Sequence, residues 1–169
     1  AANGMKFTDA YAMPVCSPTR AALLTGRHAA RVQMTIWSEN ALMGGPQNRK
    51  LLPADSLHSL PHSETTLAKH LQKAGYLTAL VGKWHLGANM SPQEGLNDYW
   101  ITMPHGGTST FYDAPIIEEG QIRNEPEYLT QFWTDHAVRF IQRKKTDHRP
   151  FFLYLAYNGP YALGRLLLR

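Results

Sequence analysis

Hydrophobic positions follow the clearest pattern in the second half of the chain, where strand-like and helix-like stretches alternate. Residues 76–81 (YLTALV) are almost continuously apolar, as expected of a strand that is buried on both faces. Residues 63–75 and 129–145 repeat apolar side chains at spacings of three and four, which predicts two helices. Residues 151–157 (FFLYLAY) predict a second buried strand. The order of strand, helix and strand predicts an α/β fold with a right-handed βαβ crossover.

The first part of the chain carries shorter patterns. Apolar positions within residues 5–12 predict a short strand that leads to Cys16. A helix is predicted over residues 18–25, because Ser17 suits its N-cap and Gly26 suits its C-terminal stop. We therefore expect Cys16 to lie just outside the start of a helix.

Turn residues dominate two longer stretches. Residues 28–62 are predicted to be irregular, and the helix that follows them is expected to be capped by Ser63 or Thr65. Residues 88–128 are broken by glycines and prolines, and such a long connection is expected to be functional or to form a substructure of its own. Within them, residues 116–122 (IIEEGQI) suggest a hairpin with an acidic turn.

Composition narrows the class of protein. The 169 residues suffice for one domain, with 43% hydrophobic and 18% charged residues, and no apolar run is long enough to span a membrane. The net charge of +4 agrees with an anionic substrate. The basic residues are scattered apart from residues 143–145, which suit a helix C-terminus, so we expect no nucleic-acid partner.

Cys16, the only cysteine, has a setting that suits chemistry at an anion. The start of a helix stabilises a thiolate or a bound anion, and Arg20 lies one turn further on. The spacing to Arg20 is too short for a Cys-x5-Arg phosphatase loop, and a redox pair would need a second cysteine. Local physics alone leaves an inert, buried cysteine as the alternative.

A second candidate site follows the predicted strand 76–81. Ligands gather at the carboxyl ends of strands in open α/β sheets, and residues 82–87 (GKWHLG) begin there. Lys83 and His85 are two residues apart, so in an extended segment both side chains face one site while Trp84 turns into the core. By local argument alone, a loop with an unrelated lysine and histidine is an equal alternative.

Together, the two segments resemble a known family. Residues 16–27 (CSPTRAALLTGR) and residues 75–87 (GYLTALVGKWHLG) resemble the two signatures of the type I sulfatases. Residues 151–160 resemble a third block of that family, in which a histidine normally follows the proline; here that position is Tyr161. The resemblance implies an α/β, alkaline-phosphatase-like, mainly parallel sheet flanked by helices and incomplete at both ends. It implies that residues 1–169 form a single, partial catalytic domain.

The resemblance also implies a chemistry. In the family a formylglycine-generating enzyme converts the cysteine to formylglycine, whose hydrate attacks the sulfur of a sulfate ester. The implied catalytic residues are Cys16, Arg20, Lys83 and His85, and the implied substrate contacts are Lys83, His105 and Tyr161. The substrate would be an aryl or carbohydrate sulfate ester.

The family's metal, usually Ca²⁺, would be bound by residue 16 in its converted form and by carboxylates. The sequence contains no adjacent Asp-Asp pair to supply them. We therefore expect little or no activity from the isolated chain.

Two other functions stay open. One is a phosphonate monoester hydrolase or phosphodiesterase of the same superfamily, some members of which use the same converted cysteine. The other is a non-catalytic sulfatase-like domain, which Tyr161 and the lack of metal-binding carboxylates favour. The compartment stays open as well; it would be periplasmic or extracellular if a leader lies upstream.

Overall fold

The structure is a computed structural model that describes residues 4–42, 50–51, 55–106 and 110–159, apart from the side chains of residues 40, 42 and 145. Within these ranges the elements are α1 (Cys16–Thr25), α2 (Ser38–Leu42), α3 (Leu67–Lys73), β1 (Leu77–Gly82), β2 (Tyr99–Thr102), β3 (Ala114–Glu118), β4 (Gln121–Glu125), α4 (Leu129–Arg143), a 3₁₀ turn (Lys144–Thr146) and β5 (Phe151–Ala156).

The strands form one sheet of order β4-β3-β2-β1-β5, with β1 inside it. The strand β1 pairs in parallel with both β2 and β5, and Leu77 lies opposite Phe151 at the start of the β1–β5 pairing. The pairs β2–β3 and β3–β4 are antiparallel. The predicted α/β class is confirmed, and the sheet is mixed, with the parallel strands on one side and the hairpin on the other. The hand of the β1–β5 crossover stays a prediction.

Helices cover both faces of the sheet. On one face, α1 and α3 pack against alternate strand residues in a cluster that includes Ala21, Leu24, Ala68, Leu80 and Trp84. On the other face, α4 packs against the intervening residues in clusters that include Val81, Ile101, Phe132, Trp133 and Phe140. All six residues of β1 are buried, as its continuous apolar sequence predicts for a strand between two layers.

The long amphipathic helix is confirmed as α4. Its buried side chains are Leu129, Phe132, Trp133, His136, Ala137 and Phe140. Ile141 was expected on the same face but is 43% exposed. His136 takes a place in the buried stripe because its Nδ1 hydrogen-bonds the hydroxyl of Tyr99 at 2.6 Å, which compensates for its polarity.

Several expectations for the first part of the chain are wrong. Residues 4–15 form no strand or helix, and the side chain of Met5 is 82% exposed instead of buried. Helix α1 begins at Cys16, with Val15 as its N-cap, so Ser17 lies inside the helix. The Ser17 hydroxyl is committed to tertiary hydrogen bonds, described below, and is therefore not available for capping. The stop at Gly26 is confirmed, in the left-handed conformation.

The helix that begins at Leu67 has a different cap from the two expected. The side chain of Thr66 accepts a hydrogen bond from the backbone N–H of Lys69 at 3.1 Å. Thr66 is fully buried, whereas Thr65 is exposed. A buried hydroxyl must find hydrogen-bond partners, and the free N–H groups at a helix start supply one. The buried Thr66 therefore takes the capping position in place of the exposed Thr65.

The stretch 88–128 does contain a substructure. The predicted hairpin is present as β3 and β4, with the turn at Glu119 and Gly120. The strand β2 and the short helix α2 were not predicted, since four and five residues carry too little periodicity. No helix among the described residues has both the length and the hydropathy to cross a bilayer.

Candidate active site

The start of α1 and the end of β1 meet on one side of the sheet. The Ser17 hydroxyl donates a hydrogen bond to the carbonyl oxygen of His85 at 2.9 Å, across 68 positions of sequence. Ser17 is fully buried, so this bond is shielded from water. It places Cys16 beside the segment that contains Lys83 and His85, and the two segments singled out from the sequence are neighbours in space.

The backbone after β1 is held in an unusual conformation. Lys83 continues the pairing with β5, donating its N–H to the carbonyl oxygen of Ala156 at 2.8 Å. Trp84 is fully buried, as predicted, and packs edge-on against Trp100. His85 has a φ of 61°, in the left-handed region that non-glycine residues rarely adopt. Such strain persists only where the surroundings enforce it, and it is frequent at functional sites.

The thiol of Cys16 is half-buried and lies in a cationic setting. Burial raises its pKa, but hydrogen bonding to His85 and the charges of His85 and Lys83 lower it by more, so the net pKa is about 7. This value lies below the ordinary range of a cysteine, so a substantial fraction is thiolate at neutral pH. The same surroundings favour any anionic oxygen at position 16.

Lys83 and His85 are both buried, at 5% exposure each. The pKa of Lys83 is lowered on balance. Burial is the largest cause and the neighbouring Arg20 charge adds to it, whereas Cys16 acts in the opposite direction. Burial also lowers the pKa of His85, but hydrogen bonds to Cys16 and Glu39 outweigh it and the net pKa is raised. The site therefore places a lysine and a histidine, both able to carry positive charge, beside one nucleophile, which is an arrangement suited to an anionic substrate.

Arg20 lies one turn into α1 and points toward the same strand end. Its Nη1 donates to the carbonyl oxygen of Lys83 at 2.5 Å and to the hydroxyl of Tyr154 at 3.2 Å. The guanidinium also lies 5.9 Å from the centre of the Tyr154 ring. These contacts fix Arg20 between α1, β1 and β5, so its charge is held at the site by the sheet itself.

Glu39 is a residue of this site that sequence reasoning missed. It lies on α2, and its Oε2 is 2.5 Å from Nε2 of His85. Its Oε1 accepts a hydrogen bond from the backbone N–H of Gly106 at 2.8 Å. The hydrogen bond with His85 lowers the pKa of Glu39 to about 2, so the carboxylate is charged at neutral pH. Its segment carried no signal in the sequence beyond an acidic residue in an apparently irregular stretch.

The loop around Gly106 closes the site from the side of β2. A Cβ atom at Gly106 would overlap the imidazole ring of His85, so only glycine lets the backbone come this close. Asn89 holds the same loop by donating to the carbonyl oxygens of Met103 at 2.7 Å and Pro104 at 2.9 Å.

Of the two expected substrate contacts outside the core of the site, His105 lies among the described residues and Tyr161 does not. His105 is exposed and precedes Gly106, which places it on the loop that borders the site. Tyr161 lies outside the described residues. The described residues therefore bring together Cys16, Arg20, Lys83 and His85, with His105 at the margin.

The described residues suit formylglycine at position 16 but do not form a metal site. Within residues 4–42, 50–51, 55–106 and 110–159, no group of three or more His, Cys, Asp or Glu side chains could hold a metal ion. The described side chains therefore do not fit a calcium site. Formylglycine at position 16 does fit, because Nδ1 of His85 is buried and makes no hydrogen bond of normal geometry with the described residues. The thiol of Cys16 is close enough to the ring for each group to shift the pKa of the other, and a hydroxyl group on residue 16 would be a better hydrogen-bond partner than a thiol.

Fold and site define an α/β protein with a nucleophile, an arginine, a lysine and a histidine at the carboxyl end of a parallel strand. Comparison with known proteins specifies the family. The profile of the Sulfatase family matches residues 1–163. Human arylsulfatase G is 33% identical over 92% of the chain, and mouse N-acetylgalactosamine-6-sulfatase is 35% identical over 96%. The chain belongs to the sulfatase family.

Solved structures agree with this result. The structure of BT4656 in complex with its substrate D-glucosamine-2-N,6-O-disulfate has a TM-score of 0.66 and 28% identity over 91% of the chain, which covers 27% of that protein. Ps i-CgsB in complex with k-i-k-neocarrahexaose has a TM-score of 0.67 at 24% identity over 88% of the chain and 35% of that protein, a likeness of fold alone. The expected alkaline-phosphatase-like fold is confirmed. The chain spans 34% of the length of arylsulfatase G and of N-acetylgalactosamine-6-sulfatase.

Proposed function

We propose that this chain carries the nucleophile side of a sulfatase active site that hydrolyses sulfate esters through formylglycine made from Cys16. The observation that supports this most directly is the convergence of Cys16, Lys83 and His85 at the end of β1. Relatives named for arylsulfates and for N-acetylgalactosamine-6-sulfate, and a neighbour bound to a sulfated glucosamine, favour an aryl or carbohydrate sulfate ester as the substrate class.

Each residue has a role that follows from its position. Formylglycine at position 16 would supply, as its hydrate, the oxygen that attacks sulfur. Lys83 stabilises charge on the sulfate oxygens, since a buried cation interacts strongly with an oxyanion. His85 holds or accepts a proton at the hydroxyl group of residue 16. Arg20, fixed by Lys83 and Tyr154, keeps a second positive charge beside the nucleophile.

We propose that His105, on the exposed side of its loop, contacts the substrate beyond the sulfate group, and that Tyr161 contributes a hydroxyl donor in place of the family histidine. We also propose that Ca²⁺ binds residue 16 together with carboxylates that this chain does not itself supply. The formylglycine-generating enzyme would be the partner for conversion, and residues 1–169 would belong to one catalytic domain.

The test has two measurements. The chain is coexpressed with a formylglycine-generating enzyme, and intact mass reports whether the CH₂–SH group of Cys16 has become an aldehyde. The converted chain, with Ca²⁺, is then assayed against 4-nitrophenyl sulfate and, in parallel, bis(4-nitrophenyl) phosphate. The control is Cys16→Ala, which cannot be converted and must show neither change.

The outcomes separate the alternatives. Conversion with preferential sulfate turnover supports the proposal, and turnover comparable to a full-length sulfatase would refute the expectation that the isolated chain is nearly inactive. Preference for the phosphate diester would favour the phosphodiesterase alternative. A Cys16 that stays unmodified under conditions that convert a sulfatase control would favour a non-catalytic domain.

A further inference from the structure

The carboxylate of Glu39 acts on the site through His85, not through the nucleophile. We propose that Glu39 is a positioning residue that fixes the orientation and tautomer of the His85 imidazole, so that Nδ1 presents its lone pair to residue 16. The proposal rests on the proposed function for the identity of the reaction, but its geometry stands on the described contacts alone.

The hydrogen bond to Glu39 decides which ring nitrogen of His85 carries the proton. An ionised carboxylate only accepts hydrogen bonds, so the 2.5 Å contact between Oε2 of Glu39 and Nε2 of His85 requires Nε2 to be the donor. In the neutral imidazole, the hydrogen bond at one nitrogen decides the state of the other. Nδ1 is then the acceptor, and it is buried beside Cys16 without a hydrogen bond of normal geometry to the described residues.

Glu39 is itself held in place by the loop at Gly106 and by the anchored start of helix α2. Its other oxygen accepts the N–H of Gly106 at 2.8 Å, so both oxygens are engaged. Helix α2 is anchored at its start, because the N–H of Ser38 donates to the Ser17 hydroxyl at 3.1 Å and the Ser38 hydroxyl donates to the carbonyl oxygen of His58. The same Ser17 hydroxyl donates to the backbone of His85. One serine of α1 therefore connects the backbones that carry the carboxylate and the imidazole.

The imidazole ring of His85 has little room to rotate. Gly106 packs directly on the imidazole, and His85 is only 5% exposed. The charged groups that act on it are Cys16, Lys83 and Glu39, of which Glu39 alone forms a hydrogen bond of normal geometry. Without the carboxylate, Nε2–H would be a buried donor with no partner, and rotation or a change of tautomer would relieve that cost.

The test reads the ring directly and does not require sulfatase activity. The Cys16→Ser chain places a neutral hydroxyl at position 16, in place of a thiol that ionises near pH 7. This chain is labelled with ¹⁵N-histidine, and the ring nitrogens of His85 are assigned by comparison with the same chain carrying His85→Gln. At a pH where the ring is neutral, we expect a single Nε2–H tautomer. In Glu39→Met, which keeps the length of the side chain and removes the acceptor, we expect a mixture of tautomers. Glu127→Met, at an exposed glutamate, is the matched control and should leave the spectrum unchanged.

Two results would overturn the proposal: an Nδ1–H tautomer in the Cys16→Ser chain, or an unchanged Nε2–H tautomer when Glu39→Met is added to it and the chain still folds. The measurement on the Cys16→Ser chain decides the matter even if the Glu39→Met variant does not fold. Where the converted protein turns over sulfate ester, Glu39→Met should lower kcat by roughly 10- to 100-fold with little change in KM. A Cys16 that stays unmodified under conditions that convert a sulfatase control, together with the expected tautomer, would contradict the proposed function and leave the role of Glu39 intact.

Discussion

The reactivity of Cys16 depends on two side chains, His85 and Lys83, that come from another part of the chain. Burial in a neutral pocket would make the thiol inert, whereas His85 and Lys83 bring its pKa down to about 7. Their placement beside position 16 serves a thiolate and an oxyanion alike.

This gives a prediction for the unconverted chain. The folded state favours the thiolate, so the rate of Cys16 alkylation by iodoacetamide should rise with pH to half its maximum near pH 7. Below that pH the thiol is protonated and the rate falls. The variant His85→Gln should move the midpoint upward, toward about 8.5, the value of an unperturbed cysteine. Quenched-flow alkylation followed by mass spectrometry measures both, and a midpoint near 8.5 in the unaltered chain would contradict the assignment.

A second prediction at this scale concerns Gly106. A methyl group there would overlap the His85 ring, and the loop must shift to admit it. We expect Gly106→Ala to lower the free energy of unfolding by about 1–3 kcal/mol, the usual cost of overpacking. Urea denaturation measures this change. Gly159→Ala is the control, because its Cβ would meet neighbours only at 3.7 Å or beyond; equal effects in the two variants would count against the contact.

Sequence could identify one part of this site but not the other. Cys16, Lys83 and His85 lie in compact motifs beside strong secondary-structure signals. Glu39 and Gly106 reach the site only through tertiary structure, since they contact His85 or each other across 46 and 67 positions of sequence. No local pattern encodes such a contact.

At the scale of elements, the start of α3 shows how burial chooses between adjacent candidates. The hydroxyl of Thr66 accepts from Lys69 N–H and donates to the carbonyl oxygen of Glu94 at 2.5 Å. Thr66 therefore caps the helix and ties it to the loop that precedes β2.

We expect Thr66→Ala to lower the free energy of unfolding by about 2 kcal/mol, roughly 1 from the lost cap and 1 from the buried carbonyl left unpaired. Thr65→Ala is a matched control one residue away, and it should change stability by less than about 0.5 kcal/mol because Thr65 is exposed. Guanidinium denaturation of both variants measures the difference. A larger effect at Thr65 would restore the sequence-based choice of cap.

Elements long enough to show a period were predictable. Helix α4 and strand β1 follow their hydrophobic patterns closely. Strand β5 forms where it was predicted, but the expectation that it is buried is wrong: Phe151 is exposed and only Ala156 is buried, because β5 lies at an edge of the described sheet. The apolar positions within residues 5–12 misled the prediction, because an apolar residue predicts burial only when another element is there to cover it. Met5 and Phe7 are largely exposed among the described residues.

At the scale of the whole molecule, the site depends on one parallel pairing. Strands β1 and β5 are paired along their full length, from Leu77 opposite Phe151 to Gly82 opposite Ala156. This pairing fixes Lys83 through Ala156 and positions Tyr154 for Arg20. It closes a long loop of chain, so its entropic cost must be offset by well-packed strands and by both helical layers.

Gly82 is the point at which this pairing is most sensitive. Its φ is 105°, and a Cβ atom would overlap the carbonyl oxygen of Ala156, the acceptor for the N–H of Lys83. Gly26, at the end of α1, also has a positive φ, of 66°, but open space lies where its Cβ would be. The two glycines therefore separate backbone strain from steric overlap.

We expect Gly26→Ala to cost about 1 kcal/mol of stability from strain alone. Gly82→Ala should cost about 3 kcal/mol or more, because overlap with backbone is added to strain. It should also slow alkylation of Cys16 at neutral pH, since a displaced Lys83–His85 segment stabilises the thiolate less. Chemical denaturation and the alkylation rate measure the two effects. If Gly82→Ala destabilised the fold but left Cys16 as reactive as before, the sheet pairing would support the fold without positioning the site.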